Sequence, residues 1–306
     1  MKGEILNILR SRESVVSGEQ LSADLGISRV SIWKHIQKLQ DLGYQISTTS
    51  HGYQLIKTPD ILFPWEYQGD AANILYFSEV TSTMDIARDQ ARNNCPDLTV
   101  VIAGCQTQGR GRLKRRWLSD DGGLYFTMVL RPSIPVQWSF KVNFLASLTL
   151  ARVIRETYQI NAMVKWPNDI LVDERKISGM LSELEAEADR VCFINIGIGV
   201  NVNNDPSEAE PGGSSLKKIA GREISRKELL SRFLEVFGKR MKLGNFESVI
   251  SEWKEYTVTL GRHVRIVTHL EESEGLAVDV DENGALVLEL ADGNRKRIVY
   301  GDCFLV

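Results

Sequence analysis

The 306-residue sequence is short of the residues that mark several common function classes. Its four cysteines, Cys95, Cys105, Cys192 and Cys303, are scattered without a CxxC spacing, which argues against a disulfide framework and against a zinc site. Its four histidines, His35, His51, His263 and His269, make no HExxH pair and no Cys/His ligand set, so no tightly bound metal is expected. No apolar run approaches the length of a membrane span, and the first residues hold no signal-like apolar stretch. The expectation is a cytoplasmic protein with no membrane partner. Net charge is only -3, so any anion binding must come from local clusters. The phosphate motif GxxxxGK[ST] occurs nowhere, which excludes a P-loop enzyme. GxGxxG fails at its last glycine after both Gly109-Arg110-Gly111 and Gly197-Ile198-Gly199.

What is present is an ordinary globular composition, 43% hydrophobic and 25% charged, in a chain long enough for two or three domains. Residues 1–57 read as a winged helix-turn-helix. Ile5, Ile8 and Leu9 share one face of a first helix. Ser17-Gly18-Glu19-Gln20 fits a capping box, with Gln20 reaching back, ahead of a short second helix carrying Leu21 and Leu25. Gly26 supplies the turn. Ser28 caps a third helix in which Ile32, Trp33, Ile36 and Leu39 face the core, and Gly43 ends it. Residues 44–46 and 53–55 alternate around Ser50-His51-Gly52 as a two-stranded wing. From Ser28 to Gln40 the third helix carries Arg29, Lys34, His35 and Lys38 and no acid. With Ser31 and Gln37, these side chains suit phosphates and base edges in a major groove. The head has seven Lys/Arg against five Asp/Glu, a small excess, and a winged helix used for protein contacts is the plainer alternative.

Residues 58–69 read as a semi-rigid linker, with Pro59 and Pro64 bracketing Leu62 and Phe63 and Trp65 following, that packs against a domain. Residues 70–257 mix strands (73–77, 99–106, 123–130, 191–203) with helices at 81–94 and 140–158. A hairpin of 163–172 and 176–185 turns at Asp173-Glu174-Arg175. Antiparallel pairing beside helices indicates an α+β sheet and not a doubly wound one. Residues 258–306 show short strands at 264–268, 275–280, 285–290 and 296–300 separated by polar turns, the pattern of a small SH3-like β-barrel.

Five clusters carry chemistry. In Gly109-Arg110-Gly111-Arg112-Leu113-Lys114-Arg115-Arg116-Trp117, five cations offer donors to phosphate and carboxylate oxygens, two glycines let backbone N–H groups approach an anion, and Trp117 offers a flat apolar wall. Alone, the loop is equally a solvated basic patch for nucleic acid. In Lys165-Trp166-Pro167-Asn168-Asp169, a carboxylate beside a basic pocket can hold Mg²⁺ or accept a proton from an incoming amine. Lys176-Ile177-Ser178-Gly179 fits a backbone-lined slot with one charged donor. In Gly197-Ile198-Gly199-Val200-Asn201, alternating glycines in an apolar strand imply close approach of a backbone or ligand, and Asn201 has the donors and acceptor to read an adenine edge. Ser82 and Thr83, with Gln106, either cap a helix or bond a urea-like oxygen.

Taken in order, these clusters resemble the biotin protein ligases of the bifunctional biotin operon repressor type, over nearly the whole chain. The family's basic glycine loop is matched by residues 109–117, its KWPND motif by 165–169, its K-[IL]-x-G-[IM]-L-x-E motif by 176–183 and its GxGxNxN segment by 197–203. The related lipoate ligases resemble a different loop, RRxxGGG, which is missing. The resemblance implies a winged-helix head, a central mixed α/β catalytic domain and an SH3-like C-terminal domain. It implies a biotin–[acetyl-CoA-carboxylase] ligase that joins biotin and ATP into biotinyl-AMP, with Mg²⁺ as activator, then transfers biotin to a lysine of a biotin carboxyl carrier domain. Ser82, Thr83, Gln106 and Arg110 would hold the ureido ring, with Gly111, Gly179 and Trp117 in the pocket. Arg112 and Arg115 would neutralise carboxylate and α-phosphate, Lys176 would bridge them, and Asn201 would contact the adenosine. Lys165 and Asp169 would lie near the reacting phosphate and metal. It implies a homodimer when biotinyl-AMP is bound, which binds operator DNA through Arg29, Ser31, Lys34, His35 and Lys38. A ligase whose head has no repressor role, and a ligand-sensing transcription factor without ligase activity, are the alternatives. Two departures stand out: Lys114 replaces a third glycine, and residues 206–221 contain no aromatic to cover adenine.

Overall fold

The structure, a computed structural model, describes every residue except 13, 68–72, 208 and 209, and describes only the backbone of Lys114. The expected boundary between linker and catalytic domain, at 69 and 70, and any role of the Lys114 side chain lie outside the described residues. By contact the chain divides into two units, Met1–Gln68 and Gly69–Val306.

In the first unit, α1 (Lys2–Ser11), α2 (Gly18–Leu25) and α3 (Arg29–Asp41) precede a hairpin of β1 (Gln45–Thr49) and β2 (Gly52–Lys57). Ser17 caps α2 by accepting from the Gln20 N–H, and Gly26 leaves the helix at φ 65°. The Gln20 side chain turns forward to Asp24 (2.8 Å) instead of back, so only half of the capping box forms. Ser28 caps α3, whose buried seam is Ile32, Ile36 and Leu39. Trp33, expected in the core, is 50% exposed. One position beyond Ile32 it is rotated about 100° from that seam, and its apolar character does not overcome the helical period. Residues 58–66 pack on the head. Phe63 stacks between Tyr44 and Trp65, Lys2 sits 4.3 Å over the Trp65 ring, and Glu66 accepts from Arg10 (2.7 Å) and from Tyr44.

The second unit opens with β3 (Ile74–Val80), α4 (Thr83–Arg92) and β4 (Thr99–Gln106), a crossover that leaves β3 and β4 parallel. Next come β5 (Leu124–Leu130), α5 (Ser139–Tyr158), β6 (Met163–Lys165), β7 (Asp169–Val172), β8 (Arg175–Glu187) and β9 (Arg190–Val200). The sheet order is β3-β4-β5-β9-β8-β7-β6, and every other pair is antiparallel. Residues 163–172, read as one strand, fold back at Trp166-Pro167-Asn168 into the β6–β7 hairpin. The helices α6 (Leu216–Ala220), α7 (Arg226–Leu243) and α8 (Val249–Lys254) follow.

Period-two alternation divides this sheet into two working faces. One carries Ile196, Ile198 and Phe126; Phe126 meets Phe233 of α7 edge-on, and Ser182 donates to Asn143 of α5. The other carries Val101, Val129 and Phe193 against Ala87 and Ala91 of α4, and then, along β9, Gly197 and Gly199. The side chains stop where the glycines begin, and the candidate site opens there.

The last strands, β10 (His263–Val267), β11 (Glu272–Val280), β12 (Leu286–Glu289), β13 (Arg295–Ile298) and β14 (Asp302–Leu305), form an antiparallel sheet in the order β13-β12-β11-β10-β14, the SH3-like C-terminal module. It is anchored by the fully buried Trp166, whose Nε1 donates to the Gly284 carbonyl (3.0 Å) and whose backbone N–H donates to Thr259 Oγ1 (2.9 Å). Among the described residues no helix is long and apolar enough to cross a membrane.

Candidate active site

A cavity of about 840 Å³ lies on the glycine face of the large sheet. Its lining includes Ser82, Thr83, Gln106, Arg110, Gly111, Arg112, Arg115, Trp117, Lys165, Asp169, Lys176, Gly179, Gly197 and Gly199, so all five clusters contribute to it. The apolar end is built by subtraction of side chains. A Cβ at Gly199 would strike the Trp117 indole, one at Gly179 would lie 3.0 Å from the same ring, and one at Gly197 would lie 2.6 Å from Met84 Sδ. Gly199 and Gly179, on adjacent strands, therefore make room for the indole against the sheet, and Gly197 makes room for Met84. The Trp117 Nε1 is buried and lacks a hydrogen-bond partner among the described residues.

Next to this wall is an ordered run of polar groups. Gln106 Oε1 accepts from the backbone N–H (2.8 Å) and hydroxyl (3.1 Å) of Thr83, while its Nε2 donates to Ser119 Oγ (2.9 Å). The Thr127 hydroxyl donates to Thr83 Oγ1 (2.8 Å). Ser82 caps α4 through the Met84 N–H, so it serves the helix and lines the cavity at once. Sequence reasoning passed over Ser119 and Thr127; the alternation along β5 puts Thr127 on this face.

The basic loop is a self-bonded hairpin. Gly111 N–H donates to the Arg115 carbonyl (2.8 Å) and Trp117 N–H to the Gly109 carbonyl (2.9 Å). The expected backbone anion nest is thus partly spent inside the loop, and Gly109 is needed because a Cβ there would lie 2.6 Å from Ser119 Oγ. Arg112 donates to Asn168 Oδ1 (3.0 Å) and to the Gly301 carbonyl (3.1 Å). Burial pulls its pKa below the ordinary guanidinium value, against the opposing pull of Asp302 and Asp169. Arg115 forms an ion pair with Asp302. The Arg110 guanidinium instead pairs with Asp85 (2.9 Å) and Glu183 (3.2 Å), which also bind Arg88. Asp302 and Gly301 left no local signal in the sequence; Glu183 closes the motif at 176–183 and Asp85 adjoins the Ser82-Thr83 pair, but nothing local marked either as a partner of Arg110.

Asp169 sits between two lysines, 3.2 Å from Lys176 Nζ and 3.9 Å from Lys165 Nζ. Lys176 Nζ also lies 5.3 Å over the Trp117 ring and 3.9 Å from Glu210, on the segment expected to cover adenine. Asn201 is not brought into the cavity lining. It is buried, its Oδ1 accepts from Asn204 (3.0 Å), and its Nδ2 has no partner among the described residues. Nor do the described residues gather three or more His, Cys, Asp or Glu side chains at any point. Residues Arg29, Lys34 and Lys38 are exposed on α3 of the other unit.

An apolar slot with an aromatic wall, an amide-hydroxyl network beside it and a cationic rim together define a site for activating a carboxylic acid with a nucleotide. Residues 76–201 match the Biotin/lipoate A/B protein ligase family, residues 3–54 an HTH domain and residues 259–306 the Biotin protein ligase C terminal domain. The chain is 36% identical to the bifunctional ligase/repressor BirA of Bacillus subtilis, over 92% of this chain and 91% of that one. It is 29% identical to BirA of Escherichia coli, over 94% and 92%. Among solved structures it is similar to the biotin protein ligase from Aquifex aeolicus in complex with biotin and ATP, with a TM-score of 0.65 and 30% identity over 76% of this chain and 98% of that one. This chain belongs to the biotin protein ligase family, in its bifunctional ligase/repressor form.

Proposed function

We propose that the protein activates biotin with ATP and transfers it to a lysine of a biotin carboxyl carrier domain, and that its winged-helix head binds operator DNA as a biotinyl-AMP-dependent homodimer in the cytoplasm. The observation that carries the ligase reading is the convergence of five separated motifs on one cavity. In the first step a biotin carboxylate oxygen attacks the α-phosphorus of ATP, and the bond to the β-phosphate breaks, releasing pyrophosphate. In the second the acceptor ε-amine attacks the acyl carbon, loses its proton and expels AMP. Both steps need charge neutralisation and alignment more than a covalent nucleophile. Trp117 and the glycine floor take the ring system, and Thr83, Gln106 and Ser82 the ureido group. Arg112, Arg115 and Lys176 take carboxylate and phosphate oxygens; Asn201, buried outside the cavity lining against Asn204, would reach the adenosine only by turning its amide into the cavity. Mg²⁺ supplies further neutralisation of the nucleotide phosphates. Asp169 would hold it in competition with Lys176 and Lys165, which lie 3.2 and 3.9 Å from its carboxylate, or would instead accept the proton of the incoming amine.

The test is incubation of the protein with biotin, α-labelled ATP and a purified carrier domain. Biotin-dependent release of labelled AMP and a carrier heavier by one biotin are expected. An unmodified carrier with no nucleotide turnover would leave only a ligand sensor.

A further inference from the structure

We propose that Val30 and Trp33 form an apolar reading edge on α3 that seats the 5-methyl groups of thymines in the DNA major groove. The proposal rests on the reading of the head as a DNA-binding module. Core formation leaves both side chains outside: Ile32, Ile36 and Leu39 fill the seam of α3, while Val30 is 63% and Trp33 50% exposed. Spaced i, i+3, the two adjoin each other on the helix surface. They lie in its first two turns, the part of a recognition helix that meets base edges.

The surroundings select the partner. Arg29 and Lys34 flank the pair, Lys38 follows a turn later, all three are exposed, and no acid occurs between Arg29 and Gln40. A second copy presenting the same face would bring these cations against each other. A duplex offers phosphates to the cations and, between them, base edges whose one apolar feature is the thymine methyl. Val has no polar atom at all and Trp has one donor and no acceptor, so apolar contact with a methyl is the readout that the two side chains share. The cations position the helix; Val30 and Trp33 tell T·A from C·G.

The full chain, with biotin and ATP, would be used to enrich duplexes from a pool with a randomised centre. Each thymine of an enriched duplex would then be replaced singly by deoxyuridine, which removes only the methyl. For the unaltered protein, one or two positions per half-site are expected to weaken binding about fourfold, the effect of one buried methyl. Trp33→Ala or Val30→Ala is expected to abolish that sensitivity at its own position, with the salt dependence of binding unchanged, and Trp33→Phe to restore part of it. Equal binding of every deoxyuridine duplex, or full methyl sensitivity in both alanine variants, overturns the proposal. Failure to enrich any duplex is a different result, which overturns the DNA-binding reading and this one with it.

Discussion

Gly199 shows how much a missing side chain can decide. The Trp117 ring lies where its Cβ would be, so Gly199→Ala forces the indole off the sheet or bends β9, at about 1–3 kcal/mol. We expect the KM for biotin to rise at least tenfold and that for ATP to change little, as read by pyrophosphate exchange. An equal rise in both would mean that Trp117 does not wall the biotin end. This part of the site was legible in the sequence because glycine alternation, hydroxyls at a helix start and a basic run are local patterns. The partners of the cations were not legible. Nothing near Arg115 indicates that Asp302 will meet it, and nothing near Arg110 indicates that Asp85 and Glu183 will draw it away from an anion. Asn201 shows the opposite case, a motif residue whose side chain bonds Asn204 beside the cavity instead of entering it.

At the scale of elements, α5, α7 and α8 are joined by one carboxylate. Glu252 accepts from Arg240 (2.9 Å), Arg152 (2.8 Å) and Ser248 (2.6 Å). The Arg240 hydrogen bond leads the effects that pull its pKa from 4.5 down to about 2, with Ser248 and Arg152 adding to it. A depressed carboxylate stabilises the fold above its unfolded pKa and loses that contribution as pH falls through the folded one. The window is therefore from about pH 4.5 down to about 2. Glu252→Gln is expected to lower the melting temperature at pH 7 by several degrees. Its deficit should shrink as pH falls through that window, measured by thermal unfolding of both proteins. A deficit constant with pH would show that packing, and not charge, is what the glutamate provides. The helix α7 itself escaped the sequence reading, although Ser225 caps it at the Glu228 N–H and Gly244 ends it. The β6–β7 hairpin was missed although Pro167, Asn168 and Asp169 are turn residues, because the reading of 163–172 as one strand ran through them.

For the whole molecule, the catalytic sheet and the C-terminal sheet make one site. Arg112 reaches across 189 positions to the Gly301 carbonyl, and Arg115 meets Asp302 at the start of β14. A chain ending at Tyr300 would leave Arg112 with one partner fewer and β10 without its outer neighbour. Adenylation by that truncated protein is expected to slow at least tenfold, at the cost of a charged hydrogen bond plus strand loss. Retention of full pyrophosphate exchange would reduce the tether to a packing contact. The tether also sets an order of events during synthesis. The ribosome delivers Trp117, the glycine floor and the lysines long before it delivers residues 301 and 302, so a nascent chain holds the parts of the pocket without the clamp on its arginines. Only after β14 emerges and pairs with β10 are Arg112 and Arg115 fixed, and a message cut short before codon 301 would yield a protein that presents the apolar slot with those two arginines untethered.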